Sequence, residues 1–213
     1  MLDRLFRTDS PFWQTMGLLY DVAVVNLLGL VLSIPIITAG PAITAAHDTA
    51  RRVLEDRGDS AIRLLLHSFR TNLRQGMAVG AVALIAAVVT IGAWLLTTRS
   101  SLALPAAVLL TVLVLPTWTY AFAVQARFDN PWHRTIFVAF LLAFANLRWT
   151  ALALVIDAAL VGVAVATLTQ MPQGIPVLVI FGYGALIFAN TPILERAFRP
   201  QLDADAPQET TAR

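Results

Sequence analysis

The chain has 213 residues, of which 58% are hydrophobic and 13% charged, with a formal net charge of +2; soluble domains carry about 25% charged residues. So little charge would leave large apolar patches in water, which excludes a soluble globular protein and points to an integral membrane protein. There is no cysteine, so disulfides and thiol chemistry are excluded; the fifteen basic residues, all arginine, flank apolar blocks as topology signals do and do not indicate nucleic acid.

Residues 1–14, MLDRLFRTDSPFWQ, lack the compact apolar core of a cleavable signal peptide. Leu2, Leu5 and Phe6 read instead as one face of a short surface helix flanked by Arg4 and Arg7. Five segments of spanning length follow, at about 16–37, 77–98, 102–124, 149–168 and 174–194. Each gives about 30 Å of helix, the thickness of the hydrocarbon core. In lipid the backbone must satisfy itself, so the expected fold is all-α and polytopic.

The first span runs into SIPIITAGPAITAAHD, residues 33–48. Pro35 removes a backbone donor and Gly40-Pro41 permits a turn. This turn is expected at the cytoplasmic interface, followed by a helix from Pro41 to Arg57 along or just below the membrane, closed by Gly58. Ala39, Ala42, Ala45 and Ala46 would let it pack closely. Asp59-Ser60 then caps a second helix. Its apolar positions are Ile62, Leu65, Leu66, Phe69 and Leu73, with Arg63, Arg70 and Arg74 opposite. Gly76 and Gly80 have the small-xxx-small spacing of a helix contact.

Between the third and fourth spans, DNPWHRTIFVAFLLAFANLRW is too short in its apolar part to cross, at about 10 residues against roughly 20 needed. It ends on Asn146-Leu147-Arg148 just before a span, as the earlier segment ends on Asn72-Leu73-Arg74. The two triplets suggest a parallel internal repeat. The end of the chain, QLDADAPQETTAR, is polar, aperiodic and expected to be disordered.

With five spans, loop 38–76, loop 125–148 and the tail hold six, three and three arginines, and the opposite segments hold two, one and none. Twelve against three predicts the N-terminus outside and the C-terminus cytoplasmic. Within the spans the polar residues of interest are Asp157, Asp21 and Asn26. A charge at mid-bilayer costs about 2.5–3.5 kcal/mol on insertion scales, so Asp157 should face the bundle, with Asn26 or Asp21 as partner. It admits two readings, a proton- or substrate-binding group and a packing residue. His47, His67 and His133 form no metal spacing, and neither a nucleophile elbow nor a phosphate loop occurs. No catalytic residue, metal or cofactor is expected.

The stretch LSIPIITAGPAITAAHDTARRVL, preceded by Asn26, resembles the signature of the YesL family, also called DUF624, at Asn26, Pro35, Thr38, Gly40, Pro41, Ala42 and Ala45. Phe69 to Arg74 also fits. The resemblance implies a small bacterial protein of the cytoplasmic membrane, associated with carbohydrate-import ABC transporter systems, and it carries over no catalytic residue. The expected function is therefore a non-catalytic accessory partner of such a system, touching ABC transporter subunits or lipid through Arg51, Arg52, Arg57, Arg70 and Arg74. The alternative is a small transporter or channel, alone or as a homo-oligomer.

Overall fold

The computed structural model describes residues 11–55, 59–128 and 130–205. These form eight α-helices and no strand: α1 Pro11–Leu32, α2 Ala39–Leu54, α3 Ala61–Thr71, α4 Leu73–Thr97, α5 Leu104–Arg127, α6 Trp132–Ala145, α7 Leu147–Gln170 and α8 Ile175–Asp205. Five segments are long and apolar enough to cross a bilayer: Phe12–Leu32, Leu73–Thr97, Ser101–Arg127, Leu147–Gln170 and Pro172–Arg199. They match the expected spans. The first is shifted toward the N-terminus, because its helix starts at Pro11 and ends before Pro35. Their outer faces are apolar, with Ile85, Leu95 and Val155 each more than 60% exposed. Such a surface is at odds with water and matched to lipid, so the chain is a polytopic α-helical membrane protein. The expected surface helix at Leu2–Arg7, Arg57 and its Gly58 cap lie outside the described residues. α8 continues to Asp205, into the stretch expected to be disordered; residues 206–213 are also outside.

The bundle is organised around α2. Gly40, Pro41, Ala42 and every residue from Thr44 to Ala50 are buried, and α2 packs against α1, α3, α4, α5 and α8. At 16 residues it is about 24 Å long. It is too short and too polar to face lipid, but wrapped by five helices it does not have to. Its small side chains let the surrounding backbones approach. Its buried hydroxyls return to its own helix, Thr44 Oγ1 donating to Gly40 O and Thr49 Oγ1 to Ala45 O, which removes the cost of an unpaired group.

The placement of α2 corrects one expectation. It does not lie along the membrane surface; it runs back through the bundle antiparallel to α1. The register is fixed by contacts on three sides. Asn26 and Val22 of α1 meet Gly184 of α8, while Asn26 also reaches back to Val179, so α1 and α8 are antiparallel. Arg51 and Glu55 at the end of α2 meet Arg127 and Glu195 near the ends of α5 and α8. The end of α2 and the start of α1 therefore share one side of the bundle. The turn at 33–38 stands apart from that ion network and leads into Gly40, which packs on Gly76 and Gly80 near the start of α4. Its Ile34, Ile36 and Ile37 are about three-quarters exposed, as lipid contact requires. The start of α1 and the end of α8 lie toward the same end of the bundle. Of the eleven arginines among the described residues, ten lie on the shared side and Arg99 alone on the other.

α3 and α6 are the short, inclined helices of the arginine side, packed on α2 and α5. The buried stripe of α3 is Ala61, Leu64, Leu65 and Ser68, one position earlier than expected, and Ile62 and Leu73 face outward. α6 does not cross, as its length requires. The two Asn-Leu-Arg triplets do the same local work. Asn72 Nδ2 donates to Ser68 O at 3.0 Å and Asn146 Nδ2 to Leu142 O at 3.2 Å, each ending a short helix where a span begins.

Candidate functional site

The residues of the turn each have a physical task. Pro35 ends the regular backbone after α1. Thr38 Oγ1 donates to Leu32 O at 2.7 Å, with Pro35 O at 2.8 Å a second acceptor, which closes the turn. Gly40 then lies against α4. A Cβ there would collide with Gly76 O and stand 2.8 Å from Gly80 Cα, and a Cβ on Gly76 would stand 2.7 Å from Pro41 Cα. The Gly76–Gly80 spacing is thus the seat of α2, with Gly40 and Pro41 as its counterpart. Ala42 and Ala45 are buried, at 1% and 0% exposure.

Asn26 joins α1 to α8. Its Nδ2 donates to Val179 O at 2.7 Å and its Oδ1 accepts from Gly184 N at 2.7 Å. One amide side chain thereby bonds both a carbonyl and an N–H of the facing backbone, using its NH2 as donor and its oxygen as acceptor. Gly184 permits the approach, since a Cβ on it would be 2.6 Å from Val22 O.

Asp157 does face the bundle, but with other partners than expected. Its Oδ1 accepts from Asn190 Nδ2 at 2.5 Å and its Oδ2 from Thr119 Oγ1 at 3.3 Å. The carboxylate therefore ties α7 to α8 and α5. Asp21 is half-buried on α1 and is not among these partners.

On the arginine side the charges form a chain. Asp48 accepts from Arg51 at 2.7 Å and, through both oxygens, from Arg52 Nε at 3.0 Å. Arg51 also pairs with Glu55, Glu55 with Arg127, and Arg127 with Glu195. Burial works against the Arg51 charge, but Asp48 and Glu55 outweigh it and raise its pKa. Beside this chain, burial pushes His47 down to about 4, so its ring is neutral at pH 7. Arg51, largely buried, and Arg52, one-third exposed, thus have their charges engaged by carboxylates of their own helix. Arg70 and Arg74 are exposed.

The same side carries a recess of about 280 Å³, walled by α2, α3 and the end of α5. Arg52, Arg127, His67, Asn72 and Gln75 line it, with the Phe128 ring at its edge. Two bonds fix its rim: Gln75 Oε1 accepts from Trp132 N, and Gln125 Oε1 from Thr135 Oγ1. Reading the sequence missed Gln75, Gln125, Arg127 and Glu195. Their signal was an unpaired polar or charged residue at the inner end of a span, which acquires meaning only when another span is beside it.

Residues 22–94 match a family described as "Protein of unknown function, DUF624". The matched stretch covers the second half of α1, the turn, α2, α3 and most of α4. No curated protein and no solved structure matches the chain.

Proposed function

We propose that this protein, whose residues 22–94 belong to the DUF624 family, is a non-catalytic membrane subunit that serves as an accessory partner of a carbohydrate ABC import system. Its resemblance to YesL proteins supports that setting and a bacterial cytoplasmic membrane. In this reading the arginine side is cytoplasmic. Ten of the eleven arginines among the described residues would then face the cytoplasm and Arg99 alone would face out, as the positive-inside rule requires. The observation that carries the proposal is the recess between α2, α3 and α5. Its polar lining is held in place by ion pairs and amide bonds before any partner arrives. Preorganised polar surfaces of this kind set partner choice and on-rate.

The test is co-purification of an ATPase or permease after crosslinking in cells. Thr71, exposed at the recess, is the residue to change. Thr71→Trp fills the space and should abolish partner recovery with thermal unfolding unaltered. Undiminished recovery, or no crosslinked partner with the unmodified protein, overturns the proposal. Arg51→Glu would not serve, because it sets a third carboxylate beside Asp48 and Glu55 and weakens the fold itself. The second reading, a small transporter or channel, rests on Asp157. It predicts that Asp157→Asn abolishes uptake by the protein alone in proteoliposomes. The engagement of Asp157 with Asn190 and Thr119 favours the accessory role.

A further inference from the structure

At the arginine-side end of α7 and α8, two guanidiniums share one indole. Arg148 lies 4.9 Å and Arg196 5.6 Å from the Trp149 ring. Both arginines are exposed, and neither makes an ion pair among the described residues. That separates them from Arg51, Arg52 and Arg127, whose charges are consumed by carboxylates. The first turn of α7 adds to the same spot. Asn146 precedes it without a side-chain cap, its amide being turned back to Leu142 O. The leading N–H groups of this 24-residue helix therefore present the positive end of its dipole beside Arg148 and Trp149.

Two uncompensated cations, a helix N-terminus and an indole at the end of a membrane span form a composite that favours one kind of ligand. A guanidinium fork matches the oxygens of a phosphate. A tryptophan at a span end sits at headgroup level, where its ring meets both the apolar and the wet zone. We infer that Arg148, Trp149 and Arg196 bind the phosphodiester headgroup of an anionic phospholipid. The first triplet supplies the contrast. Arg74 is followed by Gln75, whose carboxamide accepts from Trp132 N, and among the described residues no guanidinium lies over the Trp132 ring. The site belongs to the second copy alone and does not depend on the accessory role.

The experiment places the full chain in nanodiscs of equal phosphatidylglycerol and phosphatidylcholine, transfers it to detergent, and counts retained lipids by native mass spectrometry. The unmodified protein should retain phosphatidylglycerol in preference to phosphatidylcholine. Arg148→Gln/Arg196→Gln should weaken that binding by about twenty-fivefold, about fivefold for each cation, with unfolding temperature unchanged. Arg74→Gln should retain the lipid. Excess inorganic phosphate distinguishes a lipid site from a site for the free ion: the lipid should survive it. Retention by the double variant, equal loss in Arg74→Gln, or displacement by inorganic phosphate overturns the inference.

Discussion

Gly76 and Gly92 lie on the same helix, α4, and replacing either with alanine adds one methyl group. The structure gives the two changes opposite signs. Nothing stands within 4 Å of a Cβ on Gly92, so Gly92→Ala gains only helix propensity, up to about 1 kcal/mol. A Cβ on Gly76 would stand 2.7 Å from Pro41 Cα and 2.9 Å from Pro41 N, both backbone atoms of α2. Carbon atoms pack at about 3.5–4.0 Å, so α2 must retreat by about 1 Å. It is held by five helices and cannot do so freely. Overpacking of this kind costs about 1–3 kcal/mol. The propensity gain is common to both variants, so their separation is the overpacking cost alone. At roughly 3 °C per kcal/mol for a chain of this size, that is about 3–9 °C in unfolding temperature. Thermal unfolding of both variants in one detergent reads it directly. Gly40→Ala added to Gly76→Ala should cost less than Gly40→Ala alone, because α2 has already been displaced. Equal shifts for Gly76→Ala and Gly92→Ala would refute the seating of α2 on α4.

Three further outcomes follow from the interior. Asn26→Leu removes two hydrogen bonds from α1 to the backbone of α8, at about 0.5–1.5 kcal/mol each; Asn26→Asp keeps only the acceptor for Gly184 N, and its unfolding temperature should fall between Asn26→Leu and the unmodified protein. Asn190→Leu strips the amide from Asp157 and should cost about 3–5 kcal/mol, whereas Asp157→Leu/Asn190→Leu should cost less than that single change; a double-mutant cycle with additive terms would contradict the pairing. His47, lowered from 6.5 to about 4 by burial, contributes stability that is complete above pH 6.5 and is lost as the pH falls toward 4, at most about 3 kcal/mol. Arg51 and Glu195 share its surroundings and Arg51 stays charged throughout, so His47→Gln should flatten the decline between pH 6.5 and 4; an unaltered slope would show that His47 is not buried as a neutral ring.

The apolar spans were legible because lipid imposes a length and a composition, and four of the five fall within a few residues of their expected bounds. The Gly76–Gly80 contact and the common role of Asn72 and Asn146 were also visible as spacing and as a repeated triplet. α2 was not. A hydropathy window measures compatibility with lipid, and α2 meets protein on every side, so its alanines, threonines, His47 and Asp48 resemble a surface segment. That one misreading kept the contacts of α2 with α1, α4, α5 and α8 out of view. The stripe of α3 was displaced by one residue for a related reason. Lipid accepts Ile62 and Leu73 on the outer face, so apolarity does not mark the side turned to protein. The partners of Asp157 depend on which spans adjoin, and periodicity within a span carries no such information; Asn190 and Thr119 were invisible as partners until α5, α7 and α8 were placed together.

The central claim is that α2 runs antiparallel to α1 inside the bundle, with the start of α1 and the end of α8 toward the arginine side. The native chain has no cysteine, so single cysteines report sidedness without background. Cysteines placed before α1 and after α8 in intact cells, challenged with a membrane-impermeant thiol reagent, should both be protected, while one beside Arg99 should be labelled. Labelling before α1 with protection after α8 would mean that α1 crosses in the opposite direction, and the arrangement of the bundle described here would be wrong.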